Sequence, residues 1–166
     1  VIVSSTVVDS GGGENFGEVV ALQYLTWTDD GNSVTITDCD QSASGELVIP
    51  DAIEGKPVTS IGDYAFQNCI NISTILIPDS VTNIGVSSFE ACSNLTDIII
   101  GKSVISIGNY AFQYSKLSSI IIPNSVTNIG EGAFTNCTNL NSLSFLGNPP
   151  TIGDFVFENI SSNATF

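Results

Sequence analysis

The amino-acid sequence predicts a repeat solenoid, mostly β, in which short coils stack along one axis. The first observation is an Ile-Gly pair that recurs at spacings of 23, 23, 22 and 23 residues. The second is a phenylalanine that keeps the same period, at Phe66, Phe89, Phe112, Phe134 and Phe157. A fixed period of this length is typical of solenoids, because each unit must bury its hydrophobic face against the next. The Ile-Gly pairs are Ile61-Gly62, Ile84-Gly85, Ile107-Gly108, Ile129-Gly130 and Ile152-Gly153.

The composition supports one folded domain and excludes several classes of partner. Hydrophobic residues make up 42% of the 166 residues, enough for a packed core, whereas only 12% are charged. The 17 acidic residues outnumber the three lysines, Lys56, Lys102 and Lys116, and the formal net charge is −14. Nucleic acids and anionic membranes both attract basic surfaces, so neither is an expected partner. No apolar run is long enough to predict membrane insertion.

The first 46 residues differ from the rest of the chain. Residues 1–16 contain three consecutive glycines and are interpreted as a linker or tail. Residues 17–46 contain two runs of alternating polarity around Asp29-Asp30-Gly31-Asn32, which predicts a β-hairpin. A bare terminal repeat would expose its core, so we expect this hairpin to cap the solenoid. The chain has no Met and is expected to be a processed or excised piece. The residues expected to form the lid are Trp27, Val34 and Ile36.

Residues 47–166 are predicted to form about five coils of 22–23 residues, the last of them truncated. Each coil begins with Leu-x-x-Ile-x-Ile-Pro or a close variant. The alternating polarity of this segment predicts a strand, and the proline ends its pairing. Copies of the segment begin at Ile72, Leu95, Leu117 and Leu140.

Two further segments complete each coil. In Val-Thr-x-Ile-Gly, the valine and isoleucine are expected to face inward. The glycine is expected to allow a turn conformation that a side chain would resist. In Ala/Ser-Phe-x-x-Cys, one short helical turn is expected to place the phenylalanine in the core. The inward valines are Val58, Val81, Val104 and Val126.

The combined pattern, I-P-x-x-V-T-x-I-G-x-x-A-F-x-x-C-x-x-L-x-x-I, resembles the leucine-rich repeats of the BspA-like bacterial surface proteins. The resemblance covers residues 47–166. It implies a right-handed, curved leucine-rich repeat solenoid with short helical or 3₁₀ turns and a parallel β-sheet on the concave face. It also implies a secreted or cell-surface protein that takes part in adhesion. The third coil departs from the pattern, because it is one residue shorter and has Gly101 for proline and Ser115 for cysteine.

The cysteines are interpreted as core residues. Cys69, Cys92 and Cys137 occupy one repeat position, where other coils have Ser115 and Ile160. A position that accepts these residues is typical of a small buried slot. Adjacent rungs lie about 4.8 Å apart, so a disulfide between Cys69 and Cys92 remains an alternative. The chain has no His and no Cys-x-x-Cys pair, so no zinc site is expected.

The sequence gives little support for catalysis. Without His, no Ser-His or Cys-His pair can form, and we expect neither an enzyme nor a cofactor. A hydrolase or lyase that uses carboxylates is the alternative. Calcium bound by Asp29, Asp30, Asp38 and Asp40 is an alternative to a solvated acidic hairpin. Five Asn-x-Ser/Thr sequons are weak evidence for glycans, since the repeat itself generates most of them. They begin at Asn71, Asn94, Asn136, Asn159 and Asn163.

The outward side chains of the repeat strands form the predicted binding surface. Where Ile75 and Ile77 face inward, Thr74 and Leu76 face outward, since side chains alternate along a strand. Stacking is then expected to align the outward apolar residues in an exposed column: Val48, Leu76, Ile99 and Ile121. Such a patch often marks an interaction site, although β-branched residues also simply suit strands. The predicted ligand-binding residues are Thr74, Leu76, Asp97, Ile99, Ser119, Ile121 and Ser142.

These observations predict a non-enzymatic extracellular binding or adhesion module. Its ligand is expected to be a protein or a carbohydrate, recognised through the concave repeat surface. The alternative is a structural spacer or a self-assembling surface-display domain. In that case the apolar column would join two copies of the chain as a homodimer.

Overall fold

A computed structural model describes residues 22–165. The expected tail at residues 1–16 and the start of the expected cap lie outside this range. The described chain is a mostly-β solenoid of about five coils, as predicted. No helix within residues 22–165 is long and apolar enough to cross a membrane.

Thirteen short strands are present in the described chain, and most pair in parallel with the equivalent strand of the next coil. They are β1 Leu25–Asp29, β2 Val34–Cys39, β3 Gly45–Val48, β4 Ala52–Ile53, β5 Lys56–Ile61, β6 Ile72–Leu76, β7 Asn83–Ile84, β8 Asp97–Ile99, β9 Ser106–Ile107, β10 Ser119–Ile122, β11 Asn128–Ile129, β12 Ser142–Phe145 and β13 Thr151–Ile152. One sheet has the order β1-β2-β5-β7-β9-β11-β13, with β4 antiparallel to β5. The remaining strands form two smaller parallel sheets, β3-β6-β8 and β10-β12.

The predicted hairpin precedes the repeats. Strands β1 and β2 are antiparallel, and β2 continues the long sheet by pairing in parallel with β5. Val34 and Ile36 are buried, and Trp27 packs against the core while remaining partly exposed. The hairpin thus continues the long sheet and the hydrophobic core, and its role as a cap stays a prediction.

The core is a set of columns that run along the solenoid axis. The inward valines and the isoleucines of the first four Ile-Gly pairs are buried, as predicted. The rings of Phe66, Phe89, Phe112 and Phe134 are fully buried and stack with centroids 4.9 to 5.3 Å apart. Burial weakens in the last described coil, where Phe157 is partly buried.

The segment that carries each phenylalanine is a series of turns, and the expected short helical turn is absent between residues 23 and 165. Alternate N–H groups donate to the next coil rather than within their own segment. Phe66 N–H, for example, bonds to the Ser88 carbonyl at 2.7 Å, and Tyr64 N–H bonds to the Val86 carbonyl at 2.9 Å. Residues with φ near +60°, such as Tyr64 and Asn68, also interrupt the right-handed conformation that a helix requires.

The glycines of the Ile-Gly pairs serve close packing between coils. The expectation that they adopt a turn conformation closed to other residues is wrong, because none of them has a positive φ. A Cβ atom on Gly85 would lie 2.6 Å from the backbone nitrogen of Asp63 in the preceding coil. A Cβ on Gly108 would lie 2.6 Å from the backbone carbonyl carbon of Gly85. Only glycine lets the coils approach to this distance.

Candidate functional site

The outward side chains of β3, β6, β8, β10 and β12 form a surface that we call the strand face. Strand register aligns them in two columns. In the polar column, Thr74 lies between Glu46 and Asp97. In the apolar column, Leu76 lies between Val48 and Ile99. On the second small sheet, Ser119 pairs with Ser142 and Ile121 pairs with Ser144. All seven predicted binding residues therefore lie on the strand face.

The apolar column is less evenly exposed than expected. Ile99 and Ile121 are exposed by 61% and 58%, which is high for large aliphatic side chains. Leu76 and Val48, by contrast, are half-buried. The exposed part of the column is therefore centred on β8 and β10.

The strand face is divided between β8 and β10. The single concave sheet implied by the resemblance is split, since β8 and β10 are neighbours without regular strand pairing. The segment from Phe112 to Leu117, which precedes β10, is one residue shorter than its equivalents. Ser118 N–H then reaches the Thr96 carbonyl only at 3.4 Å, a long hydrogen bond. The shorter coil thus disturbs the register of the strand that follows it.

A groove of about 420 Å³ lies at this division. Five of the predicted binding residues line it: Thr74, Asp97, Ile99, Ser119 and Ile121. Leu76 and Ser142 lie on the same face but do not line the groove. The sequence reasoning missed Leu146, which is 68% exposed and lines the groove from the chain after β12. Leu146 follows the partly buried Phe145, so the alternation of side chains along a strand could have identified it as outward-facing.

Charge on the strand face is predominantly negative. Asp97 is exposed, and its carboxylate accepts a hydrogen bond from the Thr96 hydroxyl at 2.7 Å. Lys102, at one end of the groove, forms an ion pair with Asp79 at 2.7 Å. This pair lowers the pKa of Asp79 and raises the pKa of Lys102. Neither of the two ion pairs between residues 22 and 165 includes Asp97, so its charge is available to a ligand.

The cysteines occupy a buried column, which confirms the small-slot interpretation. All four thiols are free and buried. The Cys92 thiol donates to the Phe66 carbonyl at 3.0 Å, and the Cys69 thiol donates to the Cys39 carbonyl at 3.7 Å. The disulfide alternative between Cys69 and Cys92 is therefore not found. Burial raises the pKa of the Cys92 thiol to about 12 and that of Cys137 to about 11.

The acidic residues of the hairpin cap their own turns. The Asp29 carboxylate accepts from the Gly31 N–H at 2.7 Å and binds the Lys56 ammonium. The Asp30 carboxylate accepts from the N–H groups of Asn32 and Ser33. These contacts lower the pKa values of both carboxyl groups. Within residues 22–165, no group of three or more His, Cys, Asp or Glu side chains is placed to hold a metal ion.

Comparison with known proteins identifies the repeat. The family model of the BspA type leucine rich repeat region matches residues 59–166 in six copies. No match was found among curated proteins. A leucine-rich repeat protein from Bacteroides capillosus is 28% identical, with a TM-score of 0.65 over 75% of this chain and 95% of that protein.

Two less similar structures share the fold alone. The leucine rich repeat protein TpLRR of T. pallidum is 23% identical, with a TM-score of 0.62 over 82% of this chain and 86% of that protein. The pneumococcal vaccine antigen PcpA is 22% identical, with a TM-score of 0.60 over 82% of this chain and 40% of that protein. The family match covers well over half of the chain, which therefore belongs to the BspA-type leucine-rich repeat family.

Proposed function

We propose that this solenoid is a non-enzymatic extracellular module that binds a protein through the strand face. The observation that carries the proposal is the pair of exposed isoleucines, Ile99 and Ile121, side by side in a groove. Large exposed apolar side chains that cluster on a folded protein favour an interaction surface. The polar column beside them would supply the rim of hydrogen-bonding groups that protein interfaces have.

Charge favours a partner that is apolar on one side and basic on the other. The apolar column would receive aliphatic or aromatic side chains, and Glu46 and Asp97 of the polar column would face lysine or arginine. The chain has a net charge of −14, so the electrostatic field would also accelerate association with a basic partner. An acidic partner would be repelled.

Family membership supports an extracellular location, since the BspA-type repeat is found in bacterial surface proteins. The presence of a pneumococcal vaccine antigen among the structural neighbours is in keeping with it. The absence of His from the sequence favours binding over nucleophilic catalysis, because no Ser-His or Cys-His pair is available.

The proposal is tested by measuring binding to an array of extracellular-matrix proteins with an Ile99→Ser/Ile121→Ser double variant. Leu76 is left unchanged because it is partly buried, and its removal would disturb the fold. The matched control is Ile70→Ser/Ile105→Ser, which removes two isoleucines of 48% and 50% exposure that lie off the strand face. Loss of binding by the first variant alone, with unchanged thermal melting, is the expected result.

Two outcomes would count against this proposal. Equal binding by both variants would place the site elsewhere. If the wild type binds nothing and is dimeric in solution, while the Ile99→Ser/Ile121→Ser variant is monomeric, the column is an assembly surface. That result would favour the spacer or self-assembling display domain.

A further inference from the structure

The turn segments that follow the Ile-Gly pairs carry a second row of unusual residues. We call the surface formed by residues 63–68, 86–91, 109–114, 131–136 and 154–159 the turn face. In each coil, the second and sixth residues after the Ile-Gly glycine have φ between 49° and 62°. This left-handed conformation suits glycine and asparagine, which occupy four of these positions. Those four are Asn68, Gly132, Asn136 and Asn159.

Aromatic residues occupy four other left-handed positions, where their backbone is disfavoured. Tyr64, Tyr114 and Phe155 have φ of 61°, 62° and 57° and are exposed by 55%, 52% and 64%. Tyr110 has φ of 56° and is partly exposed. Such side chains bury little surface to offset the backbone cost. Strained positions of this kind are concentrated at functional sites.

Three of these aromatic residues form a regular row. Tyr64, Tyr110 and Phe155 hold the same repeat position in the first, third and fifth coils. Small residues, Ser87 and Gly132, hold that position between them. Stacked phenylalanines of adjacent coils lie 4.9 to 6.0 Å apart, so alternate coils are about 10 to 11 Å apart. The row therefore presents an aromatic ring about every 10 to 11 Å.

The ring of Tyr110 lies along the axis and over the next coil. A Cβ atom on Gly132 would lie 2.5 Å from its Cε1 atom and 2.6 Å from its Cδ1 atom. The Tyr110 hydroxyl donates to the Glu131 carboxylate at 2.5 Å, which fixes the ring in this position. A small residue at position 132 is thus what allows the ring to cover the neighbouring rung.

Acidic side chains accompany the aromatic row on the turn face. The turn face has five acidic residues and no lysine or arginine, and Gln67 donates to Glu90 across adjacent coils at 3.0 Å. Carboxylate oxygens accept hydrogen bonds from hydroxyl groups. Anionic ligands would be repelled by the same groups. The five acidic residues are Asp63, Glu90, Glu131, Asp154 and Glu158.

We propose that the turn face binds a neutral β-1,4-linked glycan lying along the solenoid axis. Aromatic rings stack on the C–H faces of pyranose rings, as they pack on other apolar surfaces. In an extended β-1,4 chain, equivalent sugar faces recur once per disaccharide, a length close to the spacing of the aromatic row. The carboxylates would accept hydrogen bonds from the sugar hydroxyls. This site is separate from the strand face and does not depend on it.

The test compares neutral glycan hexamers by isothermal titration calorimetry. Cellohexaose and chitohexaose are the β-1,4-linked probes, and maltohexaose, which is α-1,4-linked and not extended, is the control. The variant is Tyr64→Asn/Tyr110→Asn/Phe155→Asn. Because asparagine tolerates a left-handed backbone, it should melt at the wild-type temperature or higher. The matched control is Tyr114→Asn, an exposed tyrosine outside the row.

The expected result is binding of a β-1,4 hexamer by the wild type, with affinity reduced at least tenfold in the triple variant and unchanged in Tyr114→Asn. The proposal would be overturned if the wild type bound neither cellohexaose nor chitohexaose. Equal affinity for maltohexaose, or binding that survives in the folded triple variant, would also overturn it.

Discussion

The ring of Phe89 lies parallel to the ring of Phe112 in the next coil, with centroids 5.3 Å apart. Phe66 stacks on the other face of Phe89 at 4.9 Å. Each internal ring thus packs between the rings of the preceding and the following coil. Because every coil depends on its neighbours in this way, damage to one ring is felt by two coils.

Phe89→Ala is expected to lower the free energy of unfolding by about 3–5 kcal/mol, as other Phe truncations in cores do. The side chain is fully buried, and the cavity would lie between two rings that cannot close on each other. Urea denaturation measures the change. Phe157→Ala, at the partly buried end of the column, should cost less. A loss below 1 kcal/mol for Phe89→Ala would show that the coils repack freely.

The sequence predicted the solenoid and its inward columns because the same apolar pattern recurs in every coil. Val81 and Ile84 could be assigned to the core because their equivalents in other coils are also apolar, and both are fully buried. The segment around Phe89 was predicted less well. Local sequence favours a helical turn there, whereas hydrogen bonds to the next coil and the left-handed Ser87 and Ala91 produce successive turns.

The strand face was predictable in composition but not in shape. Alternation along a strand is enough to place Asp97 and Ile99 outward. The groove is different, because it depends on the loss of strand pairing between β8 and β10. A one-residue deletion before Leu117 is visible in the sequence, but its effect on two adjacent strands is a property of the packed coils.

Gly101 is expected to resist replacement, including by the proline that other coils have. A Cβ atom there would lie 2.2 Å from the Pro78 carbonyl oxygen, and the position is buried. Gly101→Ala should destabilise the protein by about 1–3 kcal/mol, as overpacking does. Gly101→Pro, which restores the repeat pattern, should cost at least as much. Chemical denaturation measures both, and Ser118→Ala, at an exposed position in the shortened coil, is the control.

A gain of stability in Gly101→Pro would contradict this prediction. It would mean that the third coil can relax away from Pro78 and adopt the geometry of its neighbours.

Lys56 is expected to control the titration of Asp29. The hydrogen bond from Lys56, followed by that from the Gly31 N–H, lowers the Asp29 pKa from its ordinary value of 3.8. The contact with Lys56 thus contributes stability above about pH 3.8, and this contribution is lost as the pH falls through the lowered pKa of Asp29. Lys56→Gln should raise the Asp29 pKa in an NMR titration. The Asp30 pKa, lowered mainly by the Asn32 and Ser33 N–H groups, should stay low.

An Asp29 pKa that is unchanged by Lys56→Gln would show that the Gly31 N–H alone sets it. A parallel rise at Asp30 would show instead that the whole hairpin turn has loosened.

Alkaline pH is expected to destabilise the protein through its buried thiols. Burial raises the pKa of Cys92 from 9.0 to about 12, because the thiolate would lose its hydration. The unfolded chain therefore ionises first. The stability that the neutral thiol contributes is complete below pH 9.0 and is lost as the pH rises toward the folded-state pKa. The free energy of unfolding should therefore fall as the pH rises from about 9 toward about 12.

Cys92→Ser isolates this contribution. The equivalent slot already accepts a serine, Ser115, whose hydroxyl lies 3.2 Å from the Cys137 sulfur. The variant should fold and show a smaller fall in stability over the same pH interval, while tyrosines and lysines contribute equally to both proteins. Iodoacetamide labelling gives an independent measurement, since the buried Cys92 and Cys137 thiols, whose pKa values are raised, should react only after denaturation. An equal fall in stability in both proteins, with rapid labelling of the folded wild type, would show that the cysteine column opens to solvent.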